Sequence, residues 1–152
     1  MKEITTIGLD LAKSVFQLHG VDADGTVVLR RQLRRAQVLA FFSRLPPCLI
    51  GMEACGGAHH WARELMRLGH EVRLIPPSYV KPFVRRGKTD SADAEAICTA
   101  VVQPSMRFVP VKTPEQQAVL MQHRVRDFLV RQQTQRIRRL HPIEICGFVP
   151  AP

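Results

Sequence analysis

Ile4-Thr-Thr-Ile-Gly-Leu-Asp10 and, after Leu11-Ala-Lys13, Ser14-Val-Phe-Gln-Leu-His-Gly-Val21 decide how this chain folds. The first run is apolar at Ile4, Ile7 and Leu9, as a buried strand requires, and it closes on a carboxylate. The second alternates apolar and polar residues with period two, the pattern of a strand buried on one face. Asp22-Ala-Asp-Gly25 then supplies Asp-Gly turn chemistry, so Thr26-Val-Val-Leu-Arg30 returns antiparallel to the second run. The chain therefore opens as a three-stranded meander.

Beyond the meander the period changes. Residues 34–45 carry Val38, Leu39, Phe41, Phe42 and Leu45 at helical spacing and stop at Pro46-Pro47. A fourth strand, Cys48–Met52, is followed by Gly56-Gly57 and a helix with Trp61, Leu65 and Leu68 on one face, ended by Gly69. Glu71–Ile75 reads as a fifth strand, stopped by Pro76-Pro77. Strand, helix, strand and helix in succession imply parallel pairing of strands one, four and five through right-handed crossovers. The expected fold is α/β and ribonuclease H-like, a mixed five-stranded sheet flanked by helices. A basic connection over 78–87 leads to a helix over about 91–102, broken at Gln103-Pro104. Pro114 then opens a long basic helix running to about Leu140, with Pro142 expected to stop it. These boundaries predict a domain over 1–112, a basic helix over 113–141 and an irregular tail over 142–152.

The charge narrows the partners. Of 152 residues, 22 are Lys or Arg and 13 are Asp or Glu, a formal balance of +9 that favours polyanions. No stretch resembles a signal peptide or a membrane-spanning helix, which favours nucleic acid over a membrane and a cytoplasmic, nucleoid-associated location. Cys48, Cys55, Cys98 and Cys146 show no Cys-x-x-Cys spacing and read as reduced thiols. Cys55 and His59 are four apart and could share a helix face, but no second pair completes a zinc site.

Against this positive background four carboxylates stand out. Asp10 ends the first strand and Glu53 ends the fourth, where burying an unpaired carboxylate is costly. Asp90 and Asp93, in Lys88-Thr-Asp-Ser-Ala-Asp93, fall on one face of a first helical turn. A capping box is the competing reading for that pair, and the two roles are compatible, one carboxylate capping while the other ligates. The carboxyl ends of neighbouring strands are where open sheets bind ligands. Hard oxygen donors from separate elements suit two Mg²⁺ ions about 4 Å apart, with Mn²⁺ as an alternative. Gly8, beside Asp10, permits close approach of another group. Lys13, Arg85, Arg86 and Lys88 flank the acids in sequence and are candidate phosphate contacts, as are Arg124 and Arg131 on the last helix. Trp61 reads as core. A solvated basic surface would account for the same cations without any ligand.

Three motifs, Ile7-Gly-Leu-Asp-Leu-Ala-Lys-Ser-Val-Phe-Gln-Leu-His19, Met52-Glu-Ala-Cys-Gly-Gly57 with Trp61, and Lys88-Thr-Asp-Ser-Ala-Asp-Ala-Glu95, occur in an order that resembles the N-terminal domain of the DEDD transposases of bacterial insertion sequences, the bridge-RNA-guided recombinase group. The resemblance covers about residues 4 to 140. It implies a RuvC-like domain whose four metal-binding acids match Asp10, Glu53, Asp90 and Asp93. It also implies Mg²⁺-dependent DNA strand cleavage and exchange, with DNA, a structured guide RNA and other transposase subunits as partners, in a homo-oligomer. Members of that group continue through a coiled-coil region into a second domain bearing a catalytic serine. Here the basic helix runs into Arg-Arg-Leu-His-Pro-Ile-Glu-Ile-Cys-Gly-Phe-Val-Pro-Ala-Pro152, an ending compatible with a truncated copy. The alternative is a catalytically silent module that binds nucleic acid or transposase subunits. An actin-like nucleotide site is weaker, because only Asp22-Ala-Asp-Gly25 resembles a phosphate loop.

Overall fold

A computed structural model describes residues 3–84 and 90–145, without the side chains of residues 90, 91 and 140–145. Five strands form one sheet in the order β3-β2-β1-β4-β5. Its first part is the meander: β1 (Thr6–Leu11), β2 (Val15–Val21) and β3 (Val27–Arg34), paired antiparallel in turn. The β2–β3 turn is held by Asp22, whose Oδ1 accepts from the backbone N–H of Asp24 at 3.1 Å and of Thr26 at 2.8 Å. Gly25 sits there at φ +77°, a conformation other residues rarely take. Strands β4 (Leu49–Glu53) and β5 (Glu71–Ile75) add in parallel beside β1.

Strand β3 runs to Arg34, past the expected end at Arg30, because Leu33 has a buried place opposite Phe16. The helix expected over 34–45 is shortened accordingly, to a 3₁₀ turn at Arg35–Gln37 and α1 at Val38–Phe42. Helix α2 (Ala58–Arg67) stops before Gly69, at φ +92°. A short α3 (Pro77–Val80) and a 3₁₀ turn (Lys81–Phe83) occupy the start of the basic connection. Helix α4 spans Asp90–Val101.

The odd–even alternation of the strands sorts two cores onto two faces. Ile7, Leu9, Phe16, Leu18, Ile50 and Met52 pack with Val38 and Phe42 of α1 and Trp61 and Leu65 of α2. Trp61 meets Phe16 edge-to-face with ring centroids 5.0 Å apart, as its core reading requires. The other face is roofed by α4, where Ile97, Ala100 and Val101 join Ile75 and Val80.

The chain divides into two compact units, Met1–Val111 and Lys112–Pro152. The second is built on α5 (Pro114–Ile145), opened by a reciprocal capping box. Thr113 Oγ1 accepts from the Gln116 N–H at 3.2 Å, and Gln116 Oε1 accepts from the Thr113 N–H at 3.0 Å. Pro142, expected to stop this helix, lies inside it. Three residues from the end, its missing N–H costs a single ladder bond and the final turn continues.

Candidate functional site

Asp10 and Glu53 stand side by side. Strands β1 and β4 are in parallel register through Leu9 opposite Met52, and the two carboxylates are the next residues along. Two residues earlier on each strand, Gly8 and Gly51 lie directly beneath α4. A Cβ at Gly8 would overlap the Ala94 carbonyl oxygen and lie 2.5 Å from the Cys98 nitrogen; one at Gly51 would lie 2.8 Å from Val101 Cβ. Strand alternation therefore directs Asp10 and Glu53 to the α4 side of the sheet.

The direction of α4 brings its first turn to the same place. The Cys98 thiol lies 3.9 Å from the Thr6 carbonyl oxygen, and Ala94 lies over Gly8. The helix thus runs antiparallel to β1, and Asp93 arrives near the carboxyl ends of β1 and β4. Glu53 registers that arrival electrostatically. Burial pushes its carboxyl above the usual range, the Asp93 charge raises it further, and Lys81 pulls it back. Asp10, Glu53 and Asp93 are all partly buried. Among the described residues no three His, Cys, Asp or Glu side chains gather closely enough to hold an ion by themselves. The side chain of Asp90, at the start of α4, lies outside the described residues.

The basic candidates scatter more widely. Lys13 is exposed in the β1–β2 turn, just beyond Asp10, and Arg124 and Arg131 are exposed on α5. Arg85, Arg86 and Lys88 lie outside the described residues. Lys81 does not stand out in the sequence, yet among the described residues it is a cation whose field reaches Glu53. Its position in the Pro- and Gly-punctuated 78–87 stretch gave no sign of which cation would face the acids.

Comparison with known proteins decides the family. A family profile described as "Transposase", of the DEDD type found in IS110 elements, matches residues 7–143. The chain belongs to the IS110-type DEDD transposase family. It is 65% identical over 131 residues to a probable family 20 transposase of Pseudomonas aeruginosa, covering 86% of this chain and 39% of that protein. It is 45% identical over 141 residues to the transposase of insertion sequence element IS1328 of Yersinia enterocolitica, covering 93% of this chain and 42% of the relative. This DEDD transposase chain thus spans about two fifths of the length of those relatives. In fold it is similar to RuvC of T. thermophilus in complex with a Holliday junction substrate. That match has a TM-score of 0.53 at 14% identity, over 70% of this chain and 100% of RuvC. The family and the RuvC-like sheet are those the three sequence motifs led us to expect. No described helix of this transposase chain is long and apolar enough to cross a membrane.

Proposed function

We propose that this chain supplies the metal-binding, DNA-cleaving half of an insertion-sequence transposase, with Asp10, Glu53, Asp90 and Asp93 as its ligands. The observation that carries the reading is the convergence of Asp10 and Glu53, adjacent on β1 and β4, with the first turn of α4, where the charge of Asp93, 40 positions on from Glu53, raises the Glu53 carboxyl. Carboxylates gathered at one place are costly to hold together, and a divalent cation relieves that cost. The donors are hard oxygens, which suit Mg²⁺ or Mn²⁺.

Bound ions would activate the attacking oxygen and stabilise the leaving one. The protein's own contribution is positional. The β1–β4 register sets Asp10 beside Glu53, α4 brings Asp93 toward them, and Asp90 would complete the set. Lys13 and Lys81 would neutralise phosphates beside the acids, while Arg85, Arg86 and Lys88 adjoin Asp90 in sequence. Residues 1–112 would form this catalytic domain and 113–141 a nucleic-acid-facing helix using Arg124 and Arg131. A structured guide RNA and full-length transposase subunits are the further partners we assign, in a nucleoid-associated setting.

Calorimetric titration with Mn²⁺ tests the ligand set. The unsubstituted chain should bind, and Asp10→Asn and Glu53→Gln should each weaken binding by roughly tenfold or more, as loss of a ligating carboxylate implies. Equal binding by all three proteins removes the assignment.

A second reading, a silent module that binds transposase subunits, is favoured by α5. That helix exposes Val119, Leu120, Met121, Val125, Phe128, Leu129, Val130 and Ile137. Strand cleavage by the isolated chain in Mn²⁺ separates the two readings.

A further inference from the structure

The strand register on the α4 side places more than the acids in line. Asp10 pairs with Gln17 on β2, and Gln17 pairs with Gln32 on β3. Glu53 adjoins Asp10 on β4. The row Glu53–Asp10–Gln17–Gln32 therefore crosses four strands on one face. Three strand spacings make it about 14 Å long. Gln17 and Asp10 are half-buried, while Gln32 is exposed. Two residues along β3 on the same face is Arg34, also exposed, opposite Val15.

The next row back, Gly51–Gly8–His19–Arg30, is treated differently. Helix α4 packs on its two glycines, and Arg30 at its far end reaches Glu95 of α4 at 4.0 Å. The row through Gln17 and Gln32 thus forms a lane. On one side of it stands α4, and on the other lies the β1–β2 turn carrying Lys13. One end is acidic and the other ends at a guanidinium.

We propose that this lane seats a single DNA strand, its reacting phosphate at the acidic end, with Gln17, Gln32 and Arg34 as positioning residues for the flanking nucleotides. This rests on the metal-site reading above. The chemistry is complementary. Amide side chains donate to phosphate or base edges without adding charge beside the carboxylates. Arg34 offers a planar fork matched to phosphate oxygens where the lane leaves the sheet. The bland rival is that β3 is an edge strand blunted by cations, as edge strands commonly are.

The sheet provides its own control for that rival. Arg31 is on the same strand with the same charge, but it faces the other way, its guanidinium 5.3 Å from the centre of the Phe41 ring. Binding of fluorescein-labelled single-stranded oligodeoxythymidylate to the full chain, followed by anisotropy over a range of salt, should therefore split the two arginines. Arg34→Ala should weaken binding three- to tenfold and reduce the slope of log affinity against log salt by about 0.7, the loss of one phosphate contact on a single strand. Gln17→Ala and Gln32→Ala should each weaken binding about threefold with the slope unchanged, as expected for neutral hydrogen bonds. Arg31→Ala should bind like the unsubstituted chain.

Equal losses from Arg31→Ala and Arg34→Ala, or full binding by both glutamine variants, would overturn the lane. Thermal melts exclude unfolding as the cause of any loss. Mn²⁺ calorimetry of Arg34→Ala should match that of the unsubstituted chain. Absence of Mn²⁺ binding from every protein would instead overturn the metal site, while the anisotropy comparison still reports on the lane.

Discussion

Gly8 of β1 and Ala94 of α4 touch backbone to backbone, and no side chain fits between them. A Cβ at residue 8 would overlap the Ala94 carbonyl oxygen and press on Cys98, whose Cβ would be 2.8 Å away. Because Asp93 precedes Ala94, this contact also sets how near the α4 acids come to β1 and β4.

Gly8→Ala should accordingly do two things at once. Overpacking against backbone cannot be relieved by a rotamer change, so we expect a loss of about 2–3 kcal/mol in denaturant unfolding. Mn²⁺ affinity should fall even where the variant remains folded, because α4 must lift. Gly51→Ala meets side chains, Val101 and Ile97, and should cost less. A Gly8→Ala protein as stable as the original would show that α4 is not seated as described.

Glu53 should make the fold less stable as pH rises. Its carboxyl is raised by burial and then by Asp93, so the folded state holds its proton more tightly than the unfolded chain does. Stability from this group is therefore greatest at low pH and is lost as pH climbs through the ordinary carboxylate range and above. Glu53→Gln should raise the melting temperature at neutral pH by roughly 1–3 °C, with the gain vanishing in acid. Added Mn²⁺ should narrow the difference between the two proteins at neutral pH. A lower melting temperature for Glu53→Gln at pH 7 without metal would refute this.

His19 should act in the opposite direction. It is 4% exposed, and its Nδ1 is buried without a hydrogen-bond partner among the described residues. Burial lowers its pKa, Glu95 opposes that shift and Arg30 adds to it. The neutral ring is thus favoured on folding, and stability is lost as pH falls below the usual imidazole range of about 6.5. A melting curve recorded between pH 7 and 5 should flatten in His19→Gln. An unchanged slope would mean that His19 titrates as if in water.

The thiols should separate cleanly by reagent accessibility. Burial pushes Cys48 and Cys98 up to about 11, while Cys55 is exposed. Iodoacetamide at pH 8, read by peptide mass spectrometry, should modify Cys55 well before Cys48 or Cys98, by more than about tenfold in rate. Comparable rates at all three would indicate that the cores open on the labelling timescale.

Where the sequence was legible, a single periodicity spoke without competition. The alternating run 14–21 matches β2 except at Ser14, the bounds Glu71–Ile75 coincide with β5, and the Asp22–Gly25 turn is where Asp-Gly chemistry put it. Glycine and proline marked the ends of α2 and α4. The helix is shorter than the 34–45 pattern suggests, because Arg34 and Leu33 satisfy a strand as well as a helix, and only the place opposite Phe16 decides. The acids at 10 and 53 were visible as carboxylates at strand ends. The Gln17–Gln32 row was not, since it exists only once the register of three strands is fixed. Lys81 was hidden for a similar reason, its reach to Glu53 depending on the short α3 and the turn after it.

The sheet keeps its two sides separate in one further respect. Phe16, Trp61 and Leu65 anchor one face, whereas Gly8 and Gly51 hold α4 to the other through its main chain. Repacking beneath α1 and α2 reaches the carboxylates only through the backbone of β1 and β4, whose Leu9 and Met52 lie in that layer. Any enlargement at position 8 would be felt at the carboxylates immediately. On the α4 side, two hydrogens in place of methyl groups set the distance at which the acids can meet.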